Sequence, residues 1–392
     1  MLYNFDFEKL GVDWKEVSEF RVKRLREAMR AHNFDALLTM RLDNVRYMTR
    51  FRGLTLSIFF AMKYAAILTI ESQPYLLVAS GDLARVKKEM PWQRDRVKPL
   101  PMDVGIAGGT FAEAFNELGF RGGTVGVEIM PIALFKSLEK QFPKFNFVDG
   151  AIAFADAKAV KHPGEIEALR QSSIVAEIGM NAFLKSAEEG KTEIEVSSLA
   201  EYNMKSVGAE DAFALIMSGD HAVELNRFST MRRIRRGELV LADIGCTYLG
   251  YNSDFARTVI CGDPTPEQKR VYQAVYDSLK AAIQACKPGV PSASIDKASR
   301  DVLRDYGYEK YWYFGVTGHG IGVSVHEPPT IGEKAAPGER EVPLEIGNVF
   351  SIEPSVHLPG VGGVRLEDTV VVTDKGAEVL TRTCFDERLL SG

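Results

Sequence analysis

Apolar positions recur along this chain first in short continuous runs between helical stretches, and later in long helical stretches followed by strand pairs. Phe20, Val22, Leu25 and Met29 make a rough apolar helical face. The run Asp35–Met40 behind it reads as a buried strand. Tyr64–Ile70 and Tyr75–Ala79 are strand-like and are separated by Glu71-Ser72-Gln73-Pro74, which predicts a hairpin. Thr124–Ile129 predicts another strand, with Pro131 placed for the first turn of a helix, and Phe145–Val148 closes the series. Helices alternating with strands predict an α/β unit, and no phosphate-binding glycine loop lies within it.

The pattern changes near Ala155–Val160. His162-Pro163-Gly164-Glu165 opens a helical stretch to about Ala187. Thr192-Glu193-Ile194-Glu195 and Thr265-Pro266-Glu267-Gln268 are capping boxes, the second opening a helix to about Cys286. Ser294 starts a further helix that ends near Gly307. The strand segments between and after these helices make the second part α+β. A chain of 392 residues exceeds one ordinary core. The expected division is residues 1–154 and 155–392.

Composition narrows the function classes. Hydrophobic residues at 45% and charged residues at 26% describe an ordinary globular chain. A net charge of −5 argues against a basic nucleic-acid-binding surface. The start shows no basic segment followed by an apolar one, and the apolar run around Ile58 to Ile70 is broken by Lys63 and is too short to span a membrane. Cys246, Cys261, Cys286 and Cys384 have no close pairing, so neither a disulfide framework nor a zinc knuckle is indicated. The expectation is a cytoplasmic protein with no membrane or nucleic-acid partner.

The chemistry concentrates late in the chain. Asp243 and Asp254 bracket a stretch whose midpoint lies between Tyr248 and Leu249, and Glu353 and Glu367 bracket one centred on Gly360. Folded as hairpins about those midpoints, each acidic pair would face itself across two strands, which destabilises a sheet unless countercharge is present. Two divalent cations would supply it. His319, set among glycines in Thr317–Gly322, would add an imidazole to a carboxylate-rich site. Such a donor set suits Mn²⁺, Fe²⁺ or Co²⁺ and admits Zn²⁺. Two ions about 3.5–4 Å apart could share a hydroxide and polarise a carbonyl.

The strings DIG-x5-Tyr-x-Ser-Asp-x-x-Arg-Thr, GHGIG-x3-His-Glu-x-Pro, IEP and VRLED, in this order, resemble the metallopeptidase family M24 of methionine aminopeptidase, prolidase, aminopeptidase P and creatinase. The resemblance covers about residues 155–380. A looser one, from Glu19-Phe20-Arg21 to Asn44-x-x-Tyr47, links the first part to the creatinase/prolidase N-terminal domain, which favours prolidase-like relatives. It implies a pita-bread catalytic fold and a dinuclear-metal hydrolase that cleaves an amide bond in an Xaa-Pro peptide or similar small substrate through a metal-bridging hydroxide. A homodimer is usual among such relatives. By the same resemblance, Asp243 would chelate one metal, Asp254 and Glu367 would bridge both, and His319 and Glu353 would hold the second. Glu353 would also serve as general base, His326 would hydrogen-bond the tetrahedral intermediate or scissile amide, and Arg365 would orient carboxylates.

One place departs from the pattern. Where peptidases of the family carry a histidine after a proline, this chain has Leu225 and Asn226, and Asn226 cannot titrate. Asn226 is therefore either a substrate contact or a plain loop residue. The departure keeps a non-peptidase alternative open: a creatinase- or ectoine-hydrolase-like small-amide hydrolase, or a relative of dimethylsulfoniopropionate lyases. A non-catalytic binding module is a third reading, weakened because every expected ligand is present. His32, His162, His221 and His357 read as surface or capping residues. Tyr311-Trp312-Tyr313-Phe314 reads as core packing or a pocket wall, and Arg50 and Arg52 as solvated side chains or contacts to a substrate carboxylate.

Overall fold

The computed structural model describes residues 10–53, 63–224, 228–312, 315–332 and 343–390. The chain divides into two compact units, Met1–Lys158 and Ala159–Gly392.

The first unit runs α1 (Trp14–Ala31), β1 (Ala36–Thr39), α2 (Leu42–Thr49), β2 (Ala65–Thr69), β3 (Tyr75–Val78), α3 (Leu83–Glu89), β4 (Val97–Pro99), α4 (Val104–Glu117), β5 (Gly123–Glu128), α5 (Ile132–Gln141), β6 (Phe145–Asp149) and α6 (Ala151–Ala159), within which the division falls. Its strands form one sheet in the order β4-β3-β2-β1-β5-β6. The antiparallel β2–β3 pair is the hairpin expected around residues 71–74. Strand β1 pairs antiparallel with β2 and parallel with β5. Strands β1, β2 and β3 are buried along their whole length, which is why they read as unbroken apolar runs rather than as alternation. Phe111 and Phe115 of α4 and Leu134 and Leu138 of α5 complete this core.

Arg50 is not a solvated arginine. It ends α2 in the left-handed conformation, φ 65°, and its guanidinium lies over the rings of Trp14 and Trp92, 5.4 and 4.5 Å from their centroids. Burial, with the charge of Arg21 nearby, pulls its pKa down to about 10.

The second unit begins with α7 (Pro163–Ser186) and α8 (Glu193–Ser206), both opened by capping boxes, His162 with Glu165 and Thr192 with Glu195. Three antiparallel strands follow, β7 (Asp211–Ser218), β8 (Leu239–Tyr248) and β9 (Tyr251–Ile260), and then α9 (Pro266–Ala285) and α10 (Ser292–Asp305). Helix α9 opens on the expected Thr265 box, and α10 starts two residues before Ser294. The rest is β10 (Gly318–Gly320), β11 (Glu327–Ile331), β12 (Val349–Ile352), β13 (Ser355–Leu358), β14 (Gly362–Arg365), β15 (Asp368–Thr373) and β16 (Gly376–Val379). The three-stranded sheet is β7-β8-β9, the five-stranded one β11-β10-β12-β15-β16, and β13-β14 stand as a separate pair.

Each half of this unit buries its sheet under a helix pair. Val175, Met180 and Phe183 of α7 and Val196 and Met204 of α8 pack on Val240, Ala242, Ile244, Phe255 and Val259. Val271, Val275, Leu279, Ile295 and Leu303 of α9 and α10 pack on Phe350, Ile352, Val356, Val364 and Val370. Tyr311 and Trp312 lie against this second core, as a packing role requires, whereas Tyr313 and Phe314 lie outside the described residues. Because strand side chains alternate, the β8 residues that reach α7 and α8 are even-numbered and the β9 residues are odd-numbered. Asp243 and Asp254 therefore share the opposite face.

Their pairing differs from the expected one. The β8–β9 turn is centred on Leu249 and Gly250, both with positive φ (52° and 81°), the conformation of a two-residue primed hairpin. Tyr248 therefore faces Tyr251, Gly245 faces Asp254, and Asp243 faces Ala256. The aspartates are diagonal neighbours and not directly opposed, which eases their repulsion while keeping both on one face. Gly245 is required by space, since a Cβ there would collide with the Ser253 carbonyl and the Phe213 ring. Gly245→Ala is expected to cost roughly 1–3 kcal/mol or more, as overpacked cores do. A denaturant midpoint shifted down at unchanged slope would show it, and an unshifted midpoint would contradict this packing.

Candidate metal centre

The second acidic pair sits where one long hairpin breaks. Val349 to Ile352 pair with Val371 to Asp368, and Ser355 to Leu358 pair with Arg365 to Gly362, in one continuous register. Continued across the gap, that register sets Glu353 opposite Glu367, as the midpoint at Gly360 predicts. At the gap the ladder is interrupted by Pro354, which has no N–H to give. In this register Asn348 with Val372 and Pro354 with Leu366 are the hydrogen-bonding partners, so the amides of Glu353 and Glu367 face away from each other: Glu353 N donates to Thr317 O and Glu367 N to Ala256 O, at 2.8 and 3.0 Å. The break thus lets the hairpin pass from one sheet to another and ties each glutamate backbone to a different part of the site.

Strand β9 is fastened to the same region. The Asp254 carbonyl accepts from Ser351 Oγ (3.2 Å) and Thr369 Oγ1 (2.9 Å), and Thr258 Oγ1 accepts from Arg365 N at 3.1 Å. Arg257, quoted in the sequence motif without a role, is buried and donates to the carbonyls of Ala256, Glu367 and Thr383. It also pairs with Asp368 at 2.7 Å. Its position just after Asp254 was visible in the sequence, but its partners were not.

The side chains converge. Asp243, Asp254 and Glu367 can bring one oxygen each within 4.8 Å of one another, and Asp254, His319 and His326 can do the same with their ligand atoms. His319 Nε2 lies 3.7 Å from Asp254 Oδ2 and 3.6 Å from Glu353 Oε1. The His319 and His326 rings are 3.9 Å apart between centroids. His326 is exposed, just before β11, and stands within ligand distance of the cluster. Arg365 pairs with Asp243 Oδ2 and lies 3.6 Å from Glu353 Oε2. Asn226 lies outside the described residues. His162 caps α7, while His357 is buried with Nδ1 hydrogen-bonded to Ala222 O at 2.8 Å and its pKa pushed down to about 4 by burial. The surface-or-capping expectation thus fails for His357, which joins β13 to the turn after β7.

These carboxylates are buried together, and burial raises the pKa values of Asp254, Glu367 and Glu353. Asp254 is raised well above the usual range by burial and then by Glu367, Asp243 and Glu353. Glu367 is raised well above it by burial and then by Glu353 and Asp243, and Glu353 is raised by burial despite Arg365. Burial lowers His319 and His326, which favours the neutral imidazole that ligates a metal. Asp254 Oδ1 and Glu367 Oε1 are buried without a hydrogen-bond partner. A buried, unsatisfied carboxylate oxygen is costly. Divalent cations fit this donor set: they would accept those oxygens and oppose the clustered charge.

A pH dependence follows. In the metal-free chain the raised carboxyls keep protons that the unfolded chain releases near about pH 4, so their contribution to stability falls as pH rises from there through their folded values. The lowered histidines act oppositely, removing stability as pH falls below about 6.5. Protons compete with metal for the carboxylates, so the rise in Tm on adding Mn²⁺ should be larger at pH 8 than at pH 5.5. A metal-induced shift that is equal at both pH values would contradict the assignment of these carboxylates.

Residues 167–374 match the model of metallopeptidase family M24, and residues 21–170 match that of the creatinase/prolidase N-terminal domain. An Xaa-Pro dipeptidase of Pyrococcus horikoshii is 31% identical over 373 residues, covering 94% of this chain and 98% of that protein. One from Pyrococcus furiosus is 37% identical over 250 residues, 63% of this chain and 69% of that protein. The solved Xaa-Pro dipeptidase of Bacillus anthracis superposes with a TM-score of 0.82 at 25% identity, over 94% of this chain and 99% of that one. With helix-backed sheets enclosing a carboxylate–histidine cluster and an N-terminal mixed-sheet unit, the chain belongs to metallopeptidase family M24, as a metal-dependent hydrolase of pita-bread fold.

Proposed function

We propose that this chain is an Xaa-Pro dipeptidase-like hydrolase working with two divalent ions. The observation that carries the dinuclear reading is the pair of overlapping ligand groups, Asp243-Asp254-Glu367 and Asp254-His319-His326, which share Asp254. Asp254 and Glu367 would hold both ions, Asp243 one, and His319 with Glu353 the other. When bound, such ions polarise a carbonyl and make water nucleophilic at neutral pH. The substrate class is supported by relatives named as Xaa-Pro dipeptidases.

The remaining chemistry belongs to side chains. Glu353, whose carboxylate lies 3.6 Å from His319 Nε2, takes the proton of the attacking water and returns it to the leaving amine. His326, exposed beside His319, donates a hydrogen bond to the developing oxyanion. Arg365 is a positioning residue: its guanidinium pairs with the Asp243 carboxylate, and despite burial the surrounding carboxylates raise its own pKa. A homodimer, and metals drawn from Mn²⁺, Co²⁺, Fe²⁺ and Zn²⁺, are part of the same reading.

Two variants separate binding from chemistry. Glu353→Gln should lower kcat on Xaa-Pro dipeptides by about 10²-fold or more while leaving the fold intact. Asp254→Ala should lose bound metal, measured by elemental analysis. Near-normal turnover by Glu353→Gln would refute the base. The substrate assignment is tested by a panel of Xaa-Pro dipeptides and small cationic amides with Mn²⁺, Co²⁺, Fe²⁺ and Zn²⁺. Inactivity on every Xaa-Pro member would overturn it, and cleavage of the amides alone would select the small-amide alternative.

A further inference from the structure

His326 sits on the loop between β10 and β11, and the residue after it points the other way. The Glu327 side chain is 1% exposed, and its Oε1 lies 3.0 Å from Nζ of Lys161, itself only 3% exposed. The same ammonium donates to Val349 O at 3.3 Å, at the start of β12 and four residues before Glu353. Val349 O also accepts from Ile321 N, the first residue of the loop, at 3.2 Å. The Lys161 backbone is fixed in turn: its N–H donates to Gly347 O at 2.9 Å, and Val160 bridges to Asn348.

The loop is shaped to receive this carboxylate. A Cβ on Gly322 would collide with Glu327 Oε1, so glycine is what lets the side chain tuck beneath the loop. The Gly322 carbonyl accepts from both the backbone N–H and the side chain of Asn252, at 2.9 and 3.1 Å, two residues before Asp254. The loop is thus pinned to β9 at Gly322 and to the Lys161 segment and β12 at Glu327. His326 is the last loop residue before Glu327, so the buried Glu327 anchor fixes the backbone that carries it, and its exposed ring lies against that of His319, 3.9 Å between centroids.

We propose that Lys161 is a positioning residue for His326. It has no place in the ligand set; through Glu327 it fixes which way the His326 ring faces. The inference rests on the reading of His326 as a substrate-contacting group. A buried ion pair contributes little net stability compared with apolar packing of the same shape, so its effect is sought in geometry.

The test compares Lys161→Met, His326→Ala and the double variant. It measures hydrogen exchange of the metal-free proteins, metal content, kcat and KM. In Lys161→Met, exchange across residues 321–327 should accelerate about tenfold or more while the β8–β9 hairpin is unchanged. Metal should be retained, and kcat should fall on the order of 10²-fold, as for a misplaced catalytic group, with KM moved far less. Added to His326→Ala, the same substitution should cost no further kcat. Unchanged loop exchange, or kcat losses that combine fully, would overturn the proposal. Should Lys161→Met fail to fold, Glu327→Gln removes the charge with little change of shape and takes its place in every comparison. If His326→Ala turns over normally, the functional reading of His326 falls, and the exchange rates alone decide whether Lys161 fixes the loop.

Discussion

Like charges held together out of water form the constraint on which the second unit depends. Asp243, Asp254 and Glu367 are each less than 10% exposed, and the Glu353 side chain is 13% exposed beside them. Charges this close interact several-fold more strongly than in bulk water. Arg365 answers Asp243 and reaches Glu353, but one guanidinium leaves three of four ionised carboxylates unbalanced. Burial and repulsion push the pKa values of Asp254 and Glu367 well up, and bound cations would oppose the same clustered charge. The surrounding structure keeps the acids from separating: Arg257 holds the Glu367 carbonyl, and Ser351 and Thr369 hold that of Asp254.

Sheet geometry performs this confinement with few special devices. Alternation along β8 and β9 sends apolar residues to α7 and α8 and both aspartates to the opposite face. In the long hairpin the amides of Glu353 and Glu367 face outward from the pair, and these tie the two residues to Thr317 and Ala256. Where a hairpin changes sheets, side chains on the two sides of the break can converge on a point that a flat sheet could not reach.

Much of this was legible in the sequence because it follows from short-range rules. The capping boxes at Thr192 and Thr265, the β2–β3 hairpin and the Glu353–Glu367 register all read correctly from spacing and turn residues. The Asp243–Asp254 register was read two positions out, because symmetry about the acids was assumed when Leu249-Gly250 set the turn. Arg50 was read as solvated or as a contact to a substrate carboxylate, and His357 as a surface or capping residue, because their partners, two tryptophans and the Ala222 carbonyl, lie far away in sequence. The Lys161–Glu327 pair escaped for the same reason: 166 residues separate a lysine before a helix from a glutamate after a histidine. Local chemistry is written locally, whereas the contacts that orient it are set by topology.

On this reading the clustered carboxylates exist to hold two cations. Crystals soaked in Mn²⁺, with data collected at the manganese absorption edge, test it most directly. The account predicts two anomalous peaks about 3.5–4 Å apart, both touching Asp254 and Glu367, one also touching Asp243 and the other His319. No peak among these residues, or peaks bound elsewhere while the carboxylates stay protonated, would contradict it.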